Sequence, residues 1–200
     1  NSVISELESP KNRVTPIFSE LLRKSKLSGV NLSIVPTESA LTASAALDWR
    51  GEKVVAISKS ATDALDDEEL RSVLAHELGH LVHKDSLRKT LATAYKTAFV
   101  FDPIARLVEA AIYRYGELSA DEYSARLTGK PAVLASALIK IYETIRPQSL
   151  SVPHSIILSH FMRDNDSGLF SKQPSLTFRI QKLLELESQI SLAKNNQEQR

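Results

Sequence analysis

Cysteine is absent from the 200-residue chain. Disulfides, thiolate metal sites and cysteine nucleophiles are therefore excluded together, and any metal must be held by His, Asp or Glu, which suits a domain facing the cytosol. Charge of one sign is also lacking. The 25 basic and 24 acidic residues leave a formal net charge of +1, which in total offers no footprint for nucleic acid or for an anionic membrane surface. No uninterrupted apolar run approaches the roughly 18 residues a membrane helix needs. The best candidate, Leu91 to Tyr115, is broken by Lys96, Asp102, Pro103, Arg106 and Glu109, so the chain itself reads as soluble. Neither internal repeats nor low-complexity tracts occur. The chain starts at Asn1 without a basic-then-apolar signal, which reads as a piece of a longer protein whose flanks include membrane anchors.

What is present fits one globular domain: 42% hydrophobic and 24% charged residues. Residues 1–12 read as a flank, and apolar positions Ile17, Phe18, Leu21, Leu22 and Leu27 predict an amphipathic helix over Thr15 to Leu27. Val30 to Val35 alternates as a strand. Ala40 to Asp48, a turn at Trp49-Arg50-Gly51-Glu52 and the β-branched Lys53 to Ile57 predict a hairpin, for a small antiparallel or mixed sheet of about three strands within 13–60. Asp66-Asp67-Glu68-Glu69 opens a helix through about His83, since acidic residues favour a helix N-terminus. Helical segments follow from Leu87 to Phe101, from Ile104 to about Leu127 with an interruption at Gly116, and from Pro131 through Thr144. Residues 146–192 read as a long loop, with a short helix near Ile156 to Arg163, and a last helix over Leu176 to Leu192; 193–200 reads as a polar tail. The fold class expected is α+β, mostly helical.

The chemistry sits in the 66–145 region. His76-Glu77-Leu78-Gly79-His80 lies inside the clearest helix, and the i, i+4 spacing sets both imidazoles on one face about one turn apart, where two nitrogens can share one zinc. Glu77 lies about 100° round the helix, outside the ligand set but able to hold an activated water. A hydrolytic zinc takes three protein ligands and keeps a position open. Glu117 and Asp121, again i, i+4, supply Glu117 as the third ligand and Asp121 as an acceptor for a ligand histidine's N–H. Against this stands a solvated acidic face in which Glu117, Asp121 and Glu122 pair with Arg114 or Arg126. His83 shares the face but lies about two turns from His76, which fits a helix C-terminal cap better than a ligand.

These residues resemble those of the HtpX-like and CAAX-prenyl-protease superfamily of zinc peptidases (gluzincins). Asp67 through His80 resembles that family's metal helix, and Glu117-Leu118-Ser119-Ala120-Asp121-Glu122 its E-x-x-x-D helix. Leu134 to Lys140 is similar to the helix after it, and Leu169 to Arg179 resembles its C-terminal motif. The segment around Phe101-Asp102-Pro103 is also similar to the beta-lactam sensor-transducer peptidases. The resemblance implies a zincin-like metalloprotease domain with one Zn²⁺. It implies a substrate edge strand carrying Ala45 and Ala46, and peptide, unfolded or membrane-protein substrates. It further implies a membrane-anchored parent with the catalytic domain facing the cytoplasm, plausibly in membrane-protein quality control. It also implies oxyanion stabilisation by Arg179 and by the residue at the family's histidine position, which here is Gln173. Gln donates a hydrogen bond but carries no charge, so turnover is expected to be lowered unless His154 or His160 substitutes. Two rival readings follow: a metal-binding pseudo-protease or sensor, and a helical interaction domain with an accidental motif.

Overall fold

The computed structural model describes residues 10–36, 41–47, 51–99, 101–145 and 171–198. Seven helices and three strands are described: α1 Pro10–Ser25, β1 Val30–Val35, β2 Ala43–Leu47, β3 Lys53–Ser58, α2 Lys59–Ala64, α3 Asp67–Val82, α4 Asp85–Ala98, α5 Pro103–Thr128, α6 Pro131–Ile145 and α7 Leu176–Glu198. The sheet order is β1-β3-β2. β1 runs parallel to β3 and β2 antiparallel to it, so the sheet is mixed and β2 is an edge.

At the centre stands α3. Its N-terminus is fixed by a capping box, in which Asp66 accepts from the amides of Glu68 and Glu69 and Glu69 accepts from the amide of Asp66. Such a cap contributes about 1 kcal/mol. The other Glu69 oxygen accepts from Ser136 at 2.9 Å, and Lys140 reaches Glu69 at 2.7 Å, so the same carboxylate ties α3 to α6. Leu70, Leu74 and Leu78 are wholly buried with Val14 and Leu21 of α1, Val55 and Ile57 of β3, Leu134 of α6 and Leu183 of α7. Neighbours on several faces leave His76 and Glu77 buried inside the fold and His80 partly so.

Glycine sets how closely α5 approaches. A Cβ on Gly79 would stand 2.9 Å from the Ala120 Cα and 3.2 Å from the Tyr123 Cβ. The residue between Leu78 and His80 is thus the contact at which α3 and α5 cross.

Several expectations are corrected. The first helix begins at Pro10, so residues 10–12 belong to it, and it ends at Ser25. The last helix runs to Glu198, so most of the expected polar tail is helical. The helix after α3 starts at Asp85, two residues earlier than the apolar pattern indicates, and ends at Ala98. α2, between β3 and α3, went unforeseen; Ser58 caps it by accepting from the Ala61 amide. The α5 helix continues through Gly116 without a break. The proposed short helix over 156–163, with His154 and His160, lies outside the described residues.

Candidate metal centre

His76 and His80 occupy successive turns of α3, and α5 brings Glu117 across to them. The two Nε2 atoms face each other at 3.2 Å. Glu117 Oε2 lies 3.7 Å from His76 Nε2, and Oε1 lies 3.7 Å from His80 Nε2. Ligand atoms from the three residues all fall within 4.8 Å of one another.

Each imidazole is backed by its own aspartate. His80 Nδ1 lies 2.7 Å from Asp85 Oδ2, and His76 Nδ1 lies 2.9 Å from Asp121 Oδ1. The second contact is close but poorly aligned: the ring N–H does not point at the oxygen within hydrogen-bond geometry, so buried Nδ1 has a near acceptor and no directed bond. A carboxylate at Nδ1 fixes the proton there. Both Nε2 lone pairs then converge on each other and on the Glu117 carboxylate, an arrangement that repels unless a cation lies between them.

The separations suit such a cation. Ligands about 2.0–2.1 Å from a tetrahedral zinc stand about 3.4 Å apart, against the 3.2 and 3.7 Å found. Charge agrees as well. The carboxylates of Glu77, Asp85, Glu117 and Asp121 face Arg179 and Lys89, which leaves two negative charges, with the half-exposed Arg88 only marginal at 4.0 Å from Asp85. A divalent ion matches that remainder.

The ionisation of the metal-free site carries the same signature. Burial pushes His76 down, but Asp121 and Glu117 beside it outweigh burial and hold it up at about 9, so a proton takes the cation's part. Burial pushes Glu117 up, yet His76, Arg179 and His80 bring it well below the ordinary carboxylate range. Glu77 is 7% exposed, and burial raises its carboxyl above the usual value against the pull of His76 and His80. A buried carboxyl with a raised affinity for its proton, beside the two imidazoles, is suited to accept and return a proton.

Arg179, at the start of α7, grips Asp121 with two bonds, Nε to Oδ2 at 2.7 Å and Nη2 to Oδ1 at 2.6 Å, and lies 3.6 Å from Glu117. Gln173 is exposed; its main-chain carbonyl accepts from Ser171 Oγ at 2.9 Å. Ala45 and Ala46 lie on β2, opposite Val55 and Val54, and β2 is the strand packed most extensively on α3. His83 caps α3, its amide donating to the Gly79 carbonyl, and its ring stands edge-on to Tyr123. The solvated acidic face is not found: Asp121 is 3% exposed, and Arg126 pairs with Glu122 alone of the three acids.

The sequence reading missed two residues. Asp85 is reached through a two-residue turn in which Lys84 takes a left-handed conformation, φ 54°, which swings the first turn of α4 back over His80. Gly116 makes the space: a Cβ there would lie 2.9 Å from Asp85 Oδ2. The available signal was a carboxylate just past the motif together with a glycine just before Glu117. Lys89, 3.4 Å from Glu117 Oε1, was also missed.

Known proteins match over nearly the whole chain. The protein is 31% identical over 228 aligned positions to a protease HtpX homolog of Pyrococcus abyssi, covering 95% of this chain and 78% of that protein. A protease HtpX homolog of Thermococcus kodakarensis is 28% identical over 95% of this chain and 78% of its own length. One from Nostoc is 28% identical over 94% and 77%. The sequence pattern of peptidase family M48 matches residues 8–111 and 95–187. On these matches the chain belongs to peptidase family M48, among its HtpX-like members.

Proposed function

We propose that this family M48 protease is a zinc-dependent endopeptidase in which His76, His80 and Glu117 hold one Zn²⁺. The observation that carries this reading is the pair of Nε2 atoms 3.2 Å apart and pointed at a shared carboxylate, each ring backed by an aspartate. Bound there, the ion supplies Lewis-acid chemistry, a more acidic water and a polarised peptide carbonyl. Glu77 accepts the proton of the attacking water and returns it to the leaving amine. Asp85 and Asp121 keep the imidazoles in the tautomer that presents Nε2, and Arg179 neutralises Asp121 and Glu117, so that neither carboxylate is buried unpaired. A substrate backbone extends the sheet beside Ala45 and Ala46. Gln173 stands near the chain's approach to α7, where it can donate to a developing oxyanion once substrate is bound. The substrates proposed are unfolded or membrane-derived polypeptides, met by a membrane-associated parent from the cytoplasmic side.

Elemental analysis of purified protein, paired with a chelator-sensitive digest of an unfolded protein, tests this reading. One zinc per chain is expected, lost in His80→Ala. Glu77→Gln is expected to keep zinc while hydrolysis falls about 10²–10⁴-fold. Stoichiometric zinc in His76→Ala overturns the ligand set, and full proteolysis by Glu77→Gln overturns the base. Zinc without any digestion in the unmutated chain favours the pseudo-protease, for which Gln173 in place of histidine is the specific argument.

A further inference from the structure

The hairpin formed by α4 and α5 carries an apolar face that the fold leaves uncovered. Leu87, Leu91, Tyr95 and Phe99 recur at every fourth position of α4 and are 42–61% exposed; that spacing aligns them in one stripe. At the tip Phe101 is 97% exposed, and Ile104, Val108 and Tyr115 of α5 are exposed too. Leu91, Tyr95, Val108, Ile112 and Tyr115 line one common groove, so the two helices present a single surface. Clustered exposure of large apolar side chains marks an interaction site.

The charges around that surface are mostly basic, with partly exposed Asp102 at the tip the one acid that is not buried. Residues 84–115 contain six Lys or Arg and three acids, a net of +3 where the whole chain has +1. Two of the acids, Asp85 and Glu109, are 3% exposed; Asp85 meets His80, and Glu109 meets Lys96 and Lys172. Lys84 and Arg88 are exposed one turn apart beside the stripe, and Arg88 borders the groove itself. The near-neutral total, which argued against an anionic membrane surface, thus hides a local cationic face.

No helix among the described residues is long and apolar enough to cross a membrane. A long apolar face edged by cations, with aromatic residues at its end, suits the headgroup boundary of an anionic bilayer.

We propose that the α4–α5 hairpin lies on an anionic lipid surface, with Phe101 inserted at the acyl boundary and Lys84 and Arg88 against the headgroups. Since α4 begins at Asp85 beside His80, such docking holds the His76–His80–Glu117 cluster close to the membrane surface. The proposal specifies where the membrane is met and stands independently of the metal chemistry.

With no native cysteine, one introduced thiol carries one label. The chain with Phe101→Cys, labelled with a polarity-sensitive fluorophore, is titrated with vesicles of phosphatidylcholine containing about 30% phosphatidylglycerol and with phosphatidylcholine alone. A blue-shifted, brighter emission is expected on the anionic vesicles and no change for label at Ser33→Cys on β1. Binding is expected to be about twenty-five-fold weaker on neutral vesicles, at about fivefold per charge for Lys84 and Arg88, and to fade at high salt. Leu91→Asp with Val108→Asp, both at exposed positions, is expected to abolish the shift and leave the circular dichroism unchanged. Unchanged emission at Phe101→Cys on anionic vesicles overturns the proposal. So does an equal change at Ser33→Cys, or a shift without lipid that grows with protein concentration, the sign of a second copy on this face. None of these outcomes alters zinc content, so failure here is distinct from failure of the metal reading.

Discussion

Gly116→Ala should separate stability from metal binding. In a helix interior the exchange removes an unfolded-state entropy penalty of about 1 kcal/mol, which alone would raise the melting temperature of a chain this size by about 2–4 °C. The added Cβ, however, meets Asp85 Oδ2 at 2.9 Å and Cγ at 3.3 Å, with Lys89 Cε at 3.5 Å. Ordinary contact begins near 3.4 Å, so the carboxylate must retreat by about 0.5 Å, and the 2.7 Å bond to His80 lengthens or bends. Loss of such an outer carboxylate costs about 10–100-fold in metal affinity. The expected result is a melting temperature of the metal-free protein that is unchanged or slightly raised, with zinc affinity, measured by chelator competition, down at least about tenfold. The cycle with Asp85→Ala makes this decisive. Once Asp85 is cut back there is nothing to push, so adding Gly116→Ala should leave affinity where Asp85→Ala set it and only add stability. Wild-type affinity in Gly116→Ala, or losses that simply add in the double variant, would refute the link between Gly116, Asp85 and His80.

Two further outcomes follow from the same geometry. Because His76 is held up at about 9 in the metal-free protein, its charged form adds stability in full below its ordinary value of 6.5, and that contribution is lost as pH rises through about 9. The metal-free melting temperature should therefore fall between those values, by at most about 3 kcal/mol of stability, while apparent zinc affinity climbs about tenfold per pH unit as the competing proton leaves; a flat affinity profile argues against His76 as a ligand. Gly79→Ala drives a Cβ to 2.9 Å from the Ala120 Cα, a backbone atom that only a shift of α5 relieves. Overpacking of about 1–3 kcal/mol outweighs the helix gain of about 1 kcal/mol, so melting temperature and zinc affinity should fall together, since Glu117 moves with α5.

What the sequence made legible was whatever one local segment specifies. The boundaries of α3 were readable to a residue because Asp66, the acidic turn after it and His83 are its own caps, and the facing histidine pair was readable because one helix carries both a turn apart. Asp121 could be found from Glu117 for the same reason. The parallel pairing of β1 with β3, by contrast, is not written in either strand, and α2 is too short to show a period. The polar end of α7 looked like a tail because it lacks a continuous apolar face, although nothing in it breaks a helix. Asp85 was missed because it follows His80 by five residues, off the helix face on which a periodic search looks, and reaches the ring only after the left-handed turn at Lys84. What a one-dimensional motif could not show is that Arg179 turns one edge of its guanidinium, Nε and Nη2, onto both oxygens of Asp121. The stretch from Leu91 to Tyr115 was dismissed as a membrane span because charges interrupt it. Folded back on itself, it turns its acids Asp85 and Glu109 inward and its leucines and aromatics outward, so the interruptions that exclude crossing are what produce a surface suited to lying on a bilayer.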